Sequence, residues 1–129
     1  MKAGSFRLRV RFILDDRSEP EPDVCVIGGS PRDYVAAHPR RPALIVEVAQ
    51  LGLRRARGRK ASAYARTRIV DYWIVNLVER VLEVHREPAR PGPALRRWAY
   101  AAIESLGADA TITPLAAPRA MIRVADLLP

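Results

Sequence analysis

Apolar and polar positions alternate from the start of the chain. Phe6, Leu8, Val10, Phe12 and Leu14 are interleaved with Arg7, Arg9, Arg11 and Ile13, and a period of two predicts a half-buried strand with a basic outer face. Asp15 to Pro22 is a connector rich in proline and acid. A second strand, Val24 to Ile27, follows Asp23 and ends at Gly28-Gly29. Ser30 to Tyr34 reads as a capped turn leading into a short helix or loop, and Pro39 and Pro42 stop anything longer. Ala43 to Ala49 is an apolar run interrupted only by Glu47, which predicts a central strand buried on both faces.

The period then changes. Residues 56–68 place Lys60, Tyr64 and neighbouring alanines on shared faces at helical spacing, with Gly58 weakening the first turn. Ile69 to Asn76 and Arg80 to Arg86 are strand-like runs around Leu77-Val78-Glu79, the pattern of a hairpin whose Tyr72 and Trp73 pack the core. Pro88 to Pro93 is expected as a surface loop. Leu95, Trp98, Ala99, Ala102, Ile103 and Leu106 recur at helical intervals, and by pattern alone they predict a helix. Thr111 to Thr113 and Met121 to Val124 read as short strands. The sum is one mixed α/β (α+β) domain over residues 1–129: a central sheet, one flanking helix and short C-terminal strands.

Composition narrows what such a domain does. With 129 residues, 49% hydrophobic and 28% charged, the chain has the balance of a globular protein with a real core. It contains no apolar run near the roughly 20 residues that span a bilayer, and no apolar leader follows Met1, so a cytoplasmic protein without a membrane partner is expected. The one cysteine, Cys25, lies in an apolar run, and the two histidines, His38 and His85, are distant from each other, which argues against zinc. The net charge of +8 favours polyanions. An arginine-rich proteome explains the same excess, because only Lys2 and Lys60 are lysines among 22 basic residues.

Two carboxylates stand out against this background. A charge inside a buried strand is costly unless it is paired or holds a metal. Asp23 opens one apolar run and Glu47 interrupts another, and Lys60 follows on the helix. Phosphodiester hydrolysis needs an activated water and neutralisation of phosphate oxygens; magnesium or manganese on hard oxygen ligands supplies both. Asp23, Glu47 and the Val48 carbonyl suit the metal, and Lys60 suits the water. Arg54, Arg55, Arg57 and Arg59 belong to a stretch from Arg54 to Arg68 with seven basic residues and no acidic one, a candidate phosphate-binding surface. Plainer readings stand beside these. Asp23 caps a turn, Glu47 pairs with an arginine, Lys60 is an ordinary surface residue, Tyr64 packs the core, and His85 is structural.

The ordered set Pro22-Asp23, Val46-Glu47-Val48-Ala49, Arg57-Gly58-Arg59-Lys60, Tyr64-Ala65-Arg66 and Asp71-Tyr72-Trp73-Ile74-Val75-Asn76 resembles the Uma-two family, classed with restriction endonucleases. Pro114 to Pro118 and Ile122 to Pro129 fit its C-terminal pattern. The resemblance covers Leu8 to the end and implies the PD-(D/E)XK nuclease fold, a restriction-endonuclease-like mixed sheet with flanking helices. It implies that Asp23 and Glu47 are the metal carboxylates, and that Lys60 replaces the usual strand lysine, whose place Ala49 takes. It also implies a strand, not a helix, over Trp98 to Leu106, and this expectation is preferred.

The chain departs from the family pattern at several places. Ala56 stands where aspartate is common, Leu51-Gly52 replace small hydroxyl residues, and Thr67-Arg68 replace small residues. The family's usual N-terminal helical segment is expected to be lacking, which predicts an exposed apolar face and a homodimer. The leading expectation is a magnesium-dependent endonuclease acting on DNA. The alternative is a non-catalytic, degenerate nuclease fold that binds nucleic acid or another partner.

Overall fold

The computed structural model describes the backbone of Phe6–Leu8 and Val24–Ile27 and the whole of residues 41–129. Several expectations lie outside the described residues: the first strand beyond Leu8, the connector 15–22, Asp23, the turn after Ser30, and His38. So does the side chain of Cys25.

Strands β1 (Phe6–Leu8), β2 (Val24–Ile27), β3 (Leu44–Ala49), β4 (Asp71–Asn76), β5 (Val81–Ala89) and β6 (Ala99–Leu106) form one sheet in that spatial order. Neighbours are antiparallel except β3 and β4. A parallel pair needs a crossover, and helix α1 supplies it. α1 is α-helical over Leu53–Arg55, π-helical over Ala56–Lys60 and α-helical again over Ala61–Arg66. Strands β7 (Thr111–Ile112) and β8 (Ile122–Arg123) make a separate ribbon, followed by a 3-10 turn at Val124–Leu127.

The sheet is covered on two faces, which explains why β4 is buried at every position. On one face α1 lays Ala56, Ala61, Tyr64 and Ala65 against Ile45, Ala49, Tyr72, Ile74 and Tyr100. Small residues on the helix let its axis approach the sheet while the tyrosines fill the remaining space. On the other face Leu44, Val46, Trp73, Val75, Leu82 and Val84 pack beneath Ile112, Val124 and the partly buried Ile122 and Leu127. That cover stops short of the end of β3, where Val48 is 48% exposed. The expectation of burial on both faces therefore holds for most of β3 but not for its rim.

Two readings of the pattern alone are corrected. Residues 99–106 are strand β6, as the family resemblance implied and against the helical count, paired with β5 from Ala89↔Ala99 to Leu82↔Leu106. Ile103, which the helical count places on a buried stripe, is 59% exposed. The chance helical spacing is overridden by the backbone groups of β5, which find their partners on β6. Secondly, Pro88 and Ala89 belong to β5 and not to a loop. Pro88 sits beyond Asp71↔Arg86, the last pair with β4, so its missing N–H takes no bond from that ladder.

Candidate active site

Glu47 is buried in β3, and α1 supplies its partners. Lys60 Nζ lies 3.3 Å from Glu47 Oε1, and the Tyr64 hydroxyl donates to Glu47 Oε2 at 2.8 Å. Lys60 and Tyr64 are four residues apart and so share one helix face. The Lys60 side chain keeps 27% of its surface exposed while its ammonium reaches the buried carboxylate. Tyr64 is wholly buried, so it both packs the core and orients the carboxylate.

A second carboxylate shares this face. Glu47 pairs with Ile74, and Ile74 pairs with Glu83 of β5, so the two acids flank one isoleucine across three strands. Their backbones lie about 10 Å apart at the usual strand spacing. Arg57 Nε donates to both Glu83 oxygens, at 3.2 and 3.0 Å, and Arg57 Nη2 bonds Oε2 as well. Asn76 Nδ2 donates to Oε2 at 3.0 Å, and His85 Nε2 lies 3.3 Å from Oε1. Burial alone would raise the Glu83 pKa, but the bonds from Arg57, Asn76 and His85 outweigh it and hold the carboxyl below its ordinary value. Burial lowers the pKa of His85, against the opposing pull of Glu83. Neutral His85 donates from Nε2 to Glu83, leaving Nδ1 a buried acceptor with no partner among the described residues.

A third buried carboxylate, Asp71, lies under the other cover. It accepts from Trp73 Nε1 at 2.7 Å, from Arg86 Nε at 2.8 Å and from the Leu115 amide at 2.9 Å. Arg86 also reaches the Thr113 carbonyl at 2.8 Å. Asp71 therefore fastens the C-terminal segment to the sheet, and its oxygens are engaged in that work.

The structure thus joins Glu47 to Lys60 and places Val48 at the half-exposed rim beside them. Asp23 lies outside the described residues, although β2 begins at the next residue and its Val24 pairs with Val46. Among the described residues no group of three His, Cys, Asp or Glu side chains could hold a metal. Arg54, Arg55, Arg57 and Arg59 are all exposed along α1, and Arg57, with its side chain 45% exposed, also reaches Glu83. Sequence reasoning missed Glu83 and Asn76. Glu83 carried one available signal, an acid at the centre of Val81 to His85, but period-two strands often carry acids on a wet face. It also missed Arg97, whose Nη2 would lie 3.4 Å from a Cβ at Gly58 and so joins the basic surface of α1.

No helix among the described residues is long and apolar enough to cross a membrane. Comparison with curated proteins found no match. The Uma2 family, described as "Putative restriction endonuclease", matches residues 2–122. The mixed sheet with one long helix and a small second ribbon is consistent with a restriction-endonuclease-like fold. On a match that spans nearly the whole sequence, the chain belongs to the Uma2 family.

Proposed function

We propose that the chain is a magnesium- or manganese-dependent endonuclease that hydrolyses phosphodiester bonds of DNA. The observation that carries this reading is the contact of Lys60 Nζ with buried Glu47, made by one of only two lysines in the chain. Family membership supplies the reaction class, and the pairing supports these residues as its site.

The donor chemistry fits a hard divalent ion. Glu47 offers carboxylate oxygens and Val48 a carbonyl at the open rim of β3, the ligand types that magnesium prefers. Asp23 would complete the carboxylate pair. A bound ion would supply an acidified water and neutralise charge on the phosphate oxygens. Lys60 orients the attacking water and stabilises negative charge as it develops on the phosphate. Tyr64 holds Glu47 in one orientation throughout. Exposed Arg54, Arg55 and Arg59 draw the DNA backbone to this edge and hold it there.

Metal binding tests the site directly. Titration calorimetry with manganese is expected to show binding to the wild type and its loss in Glu47→Gln, which keeps size and an acceptor for Tyr64. Equal affinity in the two proteins would remove Glu47 from the site.

A further inference from the structure

The sequence groups Arg57 with the arginines facing phosphate, but its contacts give it other work. Arg57 and Lys60 both belong to the π-helical turn Ala56–Lys60. Both reach down to the same sheet face, Arg57 to Glu83 on β5 and Lys60 to Glu47 on β3. Since Glu47 and Glu83 flank Ile74, the two cations reach strands on either side of β4 and pin one helical turn at two separated points. π-turns are rare and are found where something fixes them, frequently at functional sites.

The two pins are unequal. Glu83 receives a forked guanidinium, Asn76 and His85, and its side chain is 5% exposed. Asn76 is itself fixed, because its Oδ1 accepts from the amides of Val78 and Glu79, both at 3.0 Å. The adjoining Leu77 amide donates to the Ala49 carbonyl at 2.9 Å, two residues from Glu47. Glu83 is thus held by several partners and linked through Asn76 and Leu77 to the end of β3. Lys60 meets Glu47 through one contact at 3.3 Å on a flexible stem. A planar fork fixes orientation in a way that a lysine ammonium does not.

We infer that Arg57 is a positioning residue: its ion pair with Glu83 sets the rotation of the π-turn and thereby places Lys60 on Glu47. It acts through Lys60 and not on phosphate. This assignment rests on the site proposed above, but its geometric part can be read without any catalysis.

Lysine rarity makes that test clean. In protein labelled with carbon-13 at lysine, only Lys2 and Lys60 give side-chain signals, and Glu47→Gln identifies which one senses Glu47. Arg57→Gln and Glu83→Gln are then expected to move the Lys60 signal in the same direction, with folding checked by circular dichroism. Arg57→Lys, which keeps the charge without the fork, is expected to shift it part of the way. A Lys60 signal unmoved in both folded variants would overturn the inference, whether or not stability fell.

In plasmid cleavage, each of these two variants is expected to lower kcat about tenfold or more while KM stays within about twofold. A rise in KM confined to Arg57→Gln, with Glu83→Gln unaffected, would make Arg57 a phosphate contact instead. Absence of cleavage by the wild type would count against the nuclease reading alone, because the lysine signals still decide the positioning claim.

Discussion

At the scale of single residues, the site depends on how buried polar atoms are matched. The Tyr64 hydroxyl is a donor aimed at Glu47 in the core, so Tyr64→Phe leaves the carboxylate without that bond while filling nearly the same volume. We expect a loss of about 1–3 kcal/mol in urea denaturation; an unchanged midpoint would show that the bond contributes nothing. Arg68 gives the opposite sign. It adopts φ 66° just past the end of α1, where the Ile69 amide returns to the Tyr64 carbonyl, a position usually held by glycine. Arg68→Gly relieves that backbone and is expected to raise stability by up to about 1 kcal/mol. A decrease would mean that the stacking of Arg68 over Trp98, 5.5 Å from the ring centre, is worth more than the relief. Glu47 and Lys60 were legible because each broke a local pattern, an acid in an apolar run and a lone lysine among arginines. Glu83 broke none, and only its lateral pairing through Ile74 shows that it shares the face of Glu47.

At the scale of elements, periodicity located β3, β4 and the main helix because their burial is continuous or one-sided. It failed at β6, where alanines spaced like a helix are held as a strand by pairing with β5. It also gave no hint of the π-turn, whose Arg57 and Lys60 reach carboxylates on different strands. The C-terminal segment depends on Asp71 in the same non-local way, since Leu115 and Arg86 reach it from distant parts of the chain. Asp71→Ala would leave Arg86 without its carboxylate and Trp73 without an acceptor. The expected cost is about 3–5 kcal/mol, with faster hydrogen exchange in β7 and β8 than in β4. Uniform exchange behaviour across all strands would show that Asp71 does not fasten this segment in particular.

At the scale of the whole molecule, two buried groups on the site face contribute to the response to acid. The folded-state pKa of His85 lies below its ordinary 6.5, so the unfolded chain takes up that proton first. Stability from neutral His85 is therefore complete above pH 6.5 and declines as pH falls toward the folded value. Glu83 adds a second decline below its ordinary 4.5, because its folded pKa is also lowered. Urea midpoints should thus fall in two stages on acidification, and His85→Phe should remove the upper one; an unaltered profile in that variant would place the titration elsewhere. The proposed activity rests on the β3–α1 contact, where Lys60 of the helix meets buried Glu47. Cleavage of supercoiled plasmid with magnesium or manganese tests that contact most directly. Nicking by the wild type is expected, abolished in Glu47→Gln and reduced about 10- to 100-fold in Lys60→Ala. Wild-type cleavage that persists unchanged in both variants, or no cleavage by the wild type with either metal, would contradict the proposed activity.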